Sequence, residues 1–252
     1  MTTEKKTVGI YGLGRFGTFY ARLLAAHFNL RAYSRNPGRE VPPGVDRVDE
    51  DELLSAPVVI LCVAISALEE VLKRIAGRLR PGTLVMDTCS VKALPAAWMA
   101  EILPARVRIL ATHPMFGPDS ARSGVKGLPL ILSPVRVDGE TVAEWSGFFT
   151  SLGLKVLKMK PEEHDREAAF TQGLTHYLGR VLADLSLHDS QIASRGYAKL
   201  LDIIGQTCND SRQLFLDLQR YNPYTRQMRT ALGEALTDIN SLLDEGAEKP
   251  SP

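Results

Sequence analysis

Short apolar runs alternate with segments of helical periodicity from Thr7 to Leu157. The runs at Val58–Val63 and Val107–Ala111 are almost continuously apolar, as expected for strands buried on both faces of a parallel sheet. Between them, Leu68–Leu79 repeats apolar residues at the helical period. The same criteria predict strands at Thr7–Tyr11, Leu30–Tyr33, Thr83–Asp87, Leu128–Leu132 and Leu154–Leu157, and helices at Thr18–Phe28 and Thr141–Leu152. Strands that alternate with helices predict an α/β fold built on a doubly wound parallel sheet.

The pattern changes near Pro161, beyond which strand-like runs become rare and helical patterns dominate. Helices are predicted at Glu162–Leu187, Tyr197–Ile204, Ser211–Tyr221 and Tyr224–Leu243, followed by a frayed tail at Glu245–Pro252. We therefore predict two domains, an α/β domain over residues 1–160 and an all-helical domain over residues 161–252. Because the helical part is too small to bury a large core alone, we expect it to pack against a second copy and form a homodimer.

A glycine-rich segment, Gly12-Leu-Gly-Arg-Phe-Gly17, joins the first predicted strand to the first predicted helix. In that position the first glycine permits a tight turn, the second lets the backbone approach a pyrophosphate, and the third lets helix pack on strand. The N-terminus of the helix favours anions through its unpaired N–H groups and its dipole. The α/β domain is therefore predicted to be a Rossmann-type dinucleotide-binding domain.

The residues after the second strand indicate which dinucleotide is bound. A site for NAD usually has an acidic residue there to bind the ribose hydroxyls, whereas this chain has Ser34-Arg35-Asn36. A hydroxyl and a guanidinium suit a 2′-phosphate, so NADP is favoured over NAD. The predicted cofactor-binding residues are Gly12, Gly14, Arg15, Phe16, Gly17, Ser34, Arg35, Val63 and Thr88.

A histidine lies where the strand around Val107–Ala111 ends. Pro114 biases His113 toward an extended backbone, which places the imidazole at the carboxyl end of that strand. Ser90 and Lys92 follow the neighbouring strand and belong to the same sheet edge, where ligands bind in open α/β sheets. A single histidine at such a position is more often structural, but the presence of Ser90 and Lys92 at the same sheet edge favours a reaction site.

Polar residues interrupt the first helical pattern of the second domain. Gln172, His176 and Arg180 are spaced by four residues and share one helix face, while Leu174 and Leu178 supply a packing face. Such a stripe is either solvated surface or the wall of a cleft between domains, where a ligand would lie.

Composition limits the other function classes. The apolar fraction of 44% and charged fraction of 23% are those of a globular protein. With 30 basic and 29 acidic residues, the chain is not expected to bind nucleic acid or an anionic membrane as its main partner. We expect no membrane span, no signal peptide, a cytoplasmic location, reduced thiols at the three widely spaced cysteines and no metal site.

Taken together, the motifs resemble one family. Gly12–Gly17, Ser90-Val-Lys92, His113-Pro-Met-Phe-Gly-Pro-Asp-Ser120, Glu163-His-Asp165 and Thr175-His176 resemble the prephenate/arogenate dehydrogenases of tyrosine biosynthesis, and the pattern is closest to the plant-type arogenate dehydrogenases. The resemblance implies a nicotinamide-binding domain followed by a helical dimerisation domain. It also implies oxidative decarboxylation of a cyclohexadienol, giving tyrosine from arogenate or 4-hydroxyphenylpyruvate from prephenate.

The resemblance assigns roles to residues. His113 matches the catalytic histidine, which suits a base near neutral pH. Ser90 matches the serine that hydrogen-bonds the substrate hydroxyl, and Lys92 is expected to add positive potential beside the site. Loss of CO2 with aromatisation drives the reaction, so no metal is required as an electron sink.

The segment around Gln206 bears on substrate choice. Many prephenate-using members have an arginine where we align Gln206, and the plant-type enzymes have an acidic residue where this chain has Asp210. A carboxylate there would pair with the ammonium of arogenate and repel a keto acid. The alternative is that Asp210 caps a helix beginning near Ser211. The predicted substrate-binding residues are Asp210, Gln172, Thr175, His176, Arg180, Gln206 and Lys92.

The sequence alone leaves other functions open. The chain is alternatively a prephenate dehydrogenase or a dual-specificity cyclohexadienyl dehydrogenase. Hydroxyacid dehydrogenases and imine reductases also join a dinucleotide-binding domain to helices, but they leave the His113 segment unexplained. A non-catalytic NADP(H) sensor would need the glycine loop but not Ser90 together with His113. Spacing alone does not decide which arginine binds a substrate carboxylate among Arg180, Arg212, Arg220 and Arg226.

Overall fold

The computed structural model describes residues 5–245, and these fall into two compact units. The first unit extends to His164 and the second begins at Asp165. The division lies inside the helix Pro161–Ala168, whereas the sequence pattern places it just before that helix. The tail predicted at Glu245–Pro252 lies outside the described residues except for Glu245.

The first unit is built on a sheet of eight strands. In chain order they are β1 (Thr7–Tyr11), β2 (Asn29–Tyr33), β3 (Val45–Arg47), β4 (Val58–Leu61), β5 (Leu84–Asp87), β6 (Arg108–Pro114), β7 (Pro129–Arg136) and β8 (Lys155–Lys158). Their order across the sheet is β3-β2-β1-β4-β5-β6-β7-β8. Side chains of β1, β4 and β5 such as Ile10, Ile60 and Met86 are fully buried, as a sheet covered on both faces requires.

Helices follow most strands of this unit. They are α1 (Arg15–Leu24), α2 (Glu50–Leu54), α3 (Ile65–Ile75), α4 (Ala93–Ile102), α5 (Gly139–Ser151) and α6 (Pro161–Ala168), the last of which continues past His164. The predicted α/β class, a largely parallel sheet followed by helices, is confirmed. One detail of the prediction is wrong, because β7 runs antiparallel to β6 while every other neighbouring pair is parallel.

The second unit consists of helices. A π-helical turn (Ala169–Gly173) precedes α7 (Leu174–Asp184), and α8 (Arg195–Cys208), α9 (Arg212–Tyr221) and α10 (Thr225–Glu245) follow. The prediction of one helix over Glu162–Leu187 is therefore corrected, since the π turn interrupts it. Gly179 in α7 marks a close approach to α8, because a Cβ there would lie 2.0 Å from Thr207 Oγ1.

Neither a membrane-spanning helix nor a metal-binding cluster of side chains occurs among the described residues. Within residues 5–245, no helix is long and apolar enough to cross a membrane. In the same part of the chain, no group of three or more His, Cys, Asp and Glu side chains is arranged to hold a metal ion.

Candidate active site

The glycine loop has the geometry that its spacing predicts. Gly12 has a φ of +109°, and a Cβ there would lie 2.4 Å from Cys62 O. A Cβ on Gly17 would lie 2.0 Å from Gly12 O, so α1 packs against β1 only without a side chain. Gly14 is the N-cap of α1 without a side-chain cap, and apart from its chain neighbours no heavy atom of the described residues lies within 4 Å of the position of its Cβ. Uncapped helix N–H groups beside open space fit the pyrophosphate of a dinucleotide.

The other predicted cofactor residues surround this loop or follow neighbouring strands. After β2, Arg35 is exposed and Ser34 is half-buried, so both side chains are accessible to a ligand. The Cγ1 of Val63, after β4, would lie 3.4 Å from a Cβ on Gly12. Thr88 Oγ1 donates to Leu61 O at 3.2 Å, so this hydroxyl links the ends of β4 and β5.

Two residues of the loop itself have protein partners. The Arg15 side chain is ion-paired with Asp119, in the segment after β6. The Phe16 ring stacks on Tyr20 with centroids 5.3 Å apart and packs against the core. The contribution of Phe16 to cofactor binding would therefore come from its backbone at the start of α1.

A fully buried ion pair fixes the edge that carries His113. The Lys92 ammonium pairs with the Asp87 carboxylate, and both side chains are 0% exposed. Lys92 also donates to Thr112 O at 2.7 Å, and Asp87 accepts from the backbone N–H of Cys89 and of Thr112 at 3.0 Å each. These bonds tie the segment after β5 to the residue that precedes His113.

The position of Lys92 corrects one prediction. We expected its charge to add positive potential beside a substrate, but Asp87 neutralises that charge within the protein. Lys92 therefore holds the loop that contains Ser90. Asp87, which the sequence analysis did not single out, is the centre of this arrangement.

Ser90 and His113 lie at the ends of the paired strands β5 and β6, and both are buried. Ser90 Oγ has no hydrogen-bond partner among the described residues, which suits a hydroxyl that binds a polar ligand. His113 Nδ1 lies 2.8 Å from His164 Nε2, a hydrogen bond between two buried imidazoles. His164 was part of a motif in the sequence analysis but was given no role.

The second unit brings together several of the predicted substrate-binding residues. Gln172 Oε1, His176 Nδ1 and Arg180 Nε are buried and have no hydrogen-bond partner among the described residues. Arg180 Nη2 donates to Asp210 O at 2.8 Å, and its guanidinium lies over the Phe215 ring. Burial lowers the pKa of His176, an effect that Asp210 opposes and Arg180 reinforces. The arrangement presents a neutral imidazole, a guanidinium and a carboxylate.

The remaining predicted residues are placed differently. Thr175 Oγ1 donates to Thr171 O at 2.9 Å, within its own helix, and Gln206 is exposed on α8. Ser211, not Asp210, caps α9, since its Oγ accepts from Leu214 N at 3.1 Å. The alternative that Asp210 is the helix cap is therefore wrong. Unlike Arg180, the other arginine candidates are exposed, namely Arg212, Arg220 and Arg226.

Two family models match parts of the chain. Residues 35–158 match the model of the family described as "Prephenate dehydrogenase, nucleotide-binding domain". Residues 181–251 match the model described as "TYRAAT1-like, C-terminal domain". The glycine loop lies before the first matched range, so its assignment rests on its own geometry.

Two curated plant relatives are similar to this chain. It is 34% identical over 248 residues to arogenate dehydrogenase 2, chloroplastic, of Arabidopsis thaliana, covering 94% of this chain and 69% of the relative. It is 36% identical over 228 residues to arogenate dehydrogenase 1, chloroplastic, of the same plant, covering 86% of this chain and 36% of the relative. The predicted cytoplasmic location stays a prediction, since both relatives are named chloroplastic.

A solved structure shares the fold. The prephenate dehydrogenase from A. aeolicus, in complex with hydroxyphenyl propionate and NAD+, superposes with a TM-score of 0.76 at 18% identity, covering 99% of this chain and 94% of that one. A glycine loop between the first strand and helix of such a sheet is typical of dinucleotide-binding proteins. With the match to the nucleotide-binding domain of prephenate dehydrogenases, it places the chain in the class of nicotinamide-dependent dehydrogenases. Within that class, the chain belongs to the prephenate/arogenate dehydrogenase family.

Proposed function

We propose that this protein catalyses the NADP-dependent oxidative decarboxylation of arogenate to tyrosine. The observation that carries the proposal is the edge formed by β5 and β6. There the buried His113 imidazole lies near the end of β6, and Ser90 follows β5 with a hydroxyl that has no hydrogen-bond partner among the described residues. The family and the two arogenate dehydrogenases among its relatives support the reaction class.

The chemistry at this edge is proton transfer. Bound NADP+ would supply the acceptor for the hydride that leaves the hydroxyl-bearing ring carbon. Ser90 hydrogen-bonds the substrate hydroxyl, and His113 takes its proton while the C–O bond becomes a carbonyl. The bond to the ring carboxylate then breaks, CO2 leaves, and its electron pair completes the aromatic ring. The proton on His113 returns to the phenolate oxygen, so the base is regenerated.

Substrate choice is assigned to the cluster of the second unit. Asp210 is proposed to pair with the ammonium of arogenate, and Arg180 to bind a carboxylate. His176, kept neutral by burial, adds a hydrogen bond without a competing charge. The N-cap of α9 is Ser211 and not Asp210, so the capping role considered as the alternative does not apply.

Cofactor choice is assigned to the residues after β2. The exposed Arg35 guanidinium and the Ser34 hydroxyl would bind the 2′-phosphate of NADP. Replacing Arg35 by Asp should reverse the preference for NADP over NAD, as measured by the ratio of kcat/KM for the two cofactors.

Turnover of the purified protein tests the proposal. With arogenate and NADP+ we expect the absorbance of reduced nicotinamide to rise in step with tyrosine formation. His113→Asn should abolish this, while His27→Asn, at an exposed histidine, should not. Turnover of prephenate alone would favour the alternative of a prephenate dehydrogenase, and turnover of both substrates that of a cyclohexadienyl dehydrogenase. Cofactor binding without turnover of either substrate would indicate a sensor.

A further inference from the structure

We propose that His164 is a positioning residue for His113. It accepts the Nδ1–H of His113 and so keeps the Nε2 of His113 as the proton acceptor for the substrate hydroxyl. The inference rests on the base role proposed for His113, and it adds a second histidine to the catalytic apparatus.

The geometry identifies a directed hydrogen bond. The two ring nitrogens are 2.8 Å apart, and the planes of the rings are inclined by 68°. His164 and His113 are 2% and 3% exposed, so little water competes for either nitrogen of the bond. At this separation one proton must lie between the nitrogens, since two lone pairs would repel each other.

The backbones on both sides hold the rings in place. β6 pairs with β7 at His113, opposite Ile131, and the preceding residue Thr112 is fixed by the Asp87 and Lys92 side chains. His164 lies in the first turn of α6, where its N–H donates to Lys160 O at 3.0 Å. The distance between the imidazoles is therefore set by β6 and α6.

Because each neutral imidazole carries only one proton, the donor of this hydrogen bond determines which nitrogen of His113 can accept a proton. A neutral imidazole has one N–H and one acceptor nitrogen. If His164 donated, the proton of neutral His113 would be on Nε2, which could not then accept the substrate proton. If His113 donates from Nδ1, its Nε2 keeps a lone pair and His164 carries its own proton on Nδ1. Only the second arrangement is compatible with His113 as the base.

His164 takes the position that a carboxylate has in a Ser-His-Asp triad, where an acidic residue fixes the tautomer of the base. Its imidazole fixes the tautomer without adding a negative charge. The buried charges of Asp87 and Lys92, which fix Thr112, neutralise each other, while the exposed Glu163 and the fully buried Asp165 flank His164 along the chain. When His113 becomes an imidazolium, the Nδ1–H bond to neutral His164 stabilises the cation and retains the ring orientation.

The test compares two substitutions of His164. In His164→Gln the side-chain oxygen can reach the position of Nε2 and accept the same hydrogen bond, whereas His164→Leu has no acceptor. We expect His164→Leu to lower kcat by about 10- to 100-fold with little change in KM, as for other residues that orient a functional histidine. The acid limb of its kcat–pH profile should also move. His164→Gln should restore most of kcat.

The tautomer of His113 can be read without turnover. Ring ¹⁵N spectra of histidine-labelled protein, with the His113 signals assigned from the His113→Asn variant, should show the Nδ1–H form in the wild type and its loss in His164→Leu. His188→Leu, at an exposed histidine in the same chain, is the control and should leave both readouts unchanged.

The outcomes are distinguishable. Wild-type kcat, pH profile and tautomer in His164→Leu would overturn the inference, and so would a wild-type His113 protonated on Nε2. If His164→Leu does not fold, His164→Asn replaces it, because the shorter amide does not reach the Nε2 position. If the wild type turns over no cyclohexadienol, the proposed function fails, while the spectra still decide whether His164 sets the tautomer.

Discussion

At the scale of single residues, the buried pair of Asp87 and Lys92 holds the loop after β5 against the strand that carries His113. Burying two charges has a high desolvation cost, which their mutual attraction and the backbone hydrogen bonds of Asp87 offset. Removing one partner leaves the other charge buried without compensation, and this is the more destabilising change.

We predict that Asp87→Asn and Lys92→Met each lower the free energy of unfolding by about 3–5 kcal/mol. The double variant should lose much less than the sum, because the amide introduced by Asp87→Asn retains an acceptor for Thr112 N and no buried charge remains in the pair. Urea unfolding of the four proteins measures both effects. Additive losses would show that the two charges do not stabilise each other.

His176 makes stability depend on pH. Since burial lowers its pKa, the unfolded chain binds a proton more readily than the folded chain in the range just below the usual value of about 6.5. Above about pH 6.5 His176 therefore adds no pH dependence to the free energy of unfolding. As the pH falls below that value, the free energy of unfolding decreases. We expect the urea midpoint to decrease less between pH 7 and pH 5 in His176→Gln than in the wild type, with His188→Gln behaving as the wild type. Equal decreases in all three would contradict the effect.

The sequence placed His113 and Ser90 correctly because local signals suffice for residues at strand ends. Apolar runs before both residues identify the two strands, and Pro114 keeps His113 extended, although β6 continues through Pro114 instead of ending at Ala111. His164 could not be assigned in this way, since its bond to His113 joins residues 51 positions apart. Lys92 was misjudged for the same reason, because its neutralising partner is visible only when the loop is folded.

At the scale of elements, long and strongly periodic segments were predicted well and short or uniform ones were not. β3 has three residues, none of them buried, so it lacks an apolar run. α4 (Ala93–Ile102) is apolar over most of its length and shows no polar face from which a helical period could be read. The π turn at Ala169–Gly173 follows no local pattern, and Gly173 packs there against Thr225 of α10.

The glycine loop and α1 act as one element. Replacing Gly14 or Gly17 by alanine should affect stability and cofactor binding differently. Gly17→Ala places a Cβ 2.0 Å from Gly12 O, so we expect a lower thermal midpoint and weak cofactor binding. Apart from its chain neighbours, no heavy atom of the described residues lies within 4 Å of a Cβ on Gly14, so Gly14→Ala should change stability little. The added methyl would occupy the space assigned to the pyrophosphate, and Kd for NADP should rise by at least about tenfold. Calorimetric unfolding measures the effect on stability, and titration with NADP measures the effect on binding. An unchanged Kd for NADP in Gly14→Ala would contradict the assignment of the pyrophosphate to this position.

At the scale of the whole molecule, the second unit exposes apolar side chains. Leu236, Ile239 and Leu243 are 58%, 56% and 65% exposed and share one face of α10 through their spacing of three and four residues. Exposed apolar stripes of this kind are typical of helices that pack against another chain. The predicted homodimer would cover this stripe.

We predict that the double substitution Leu236→Glu and Ile239→Glu converts a dimer into a monomer, because charges on this face oppose its burial. Gln227→Glu adds a charge on the opposite face of α10 and is the control. Light scattering coupled to size exclusion gives the mass of each protein. If the wild type is a monomer, or if the double variant remains a dimer, the apolar stripe on α10 is not a dimer interface.

The preference for arogenate over prephenate tests the role of Asp210 and the identity of the substrate together. We would measure kcat/KM for both substrates with NADP+, in the wild type, in Asp210→Asn and in Asp189→Asn, an exposed control. We expect the wild type to prefer arogenate by about 30- to 5,000-fold, because a charge pair worth about 2–5 kcal/mol is lost with the other substrate. The preference should collapse in Asp210→Asn and persist in Asp189→Asn. A wild type that prefers prephenate, or an Asp210→Asn enzyme with an unchanged ratio, would contradict the assignment of Asp210 and of arogenate as the substrate.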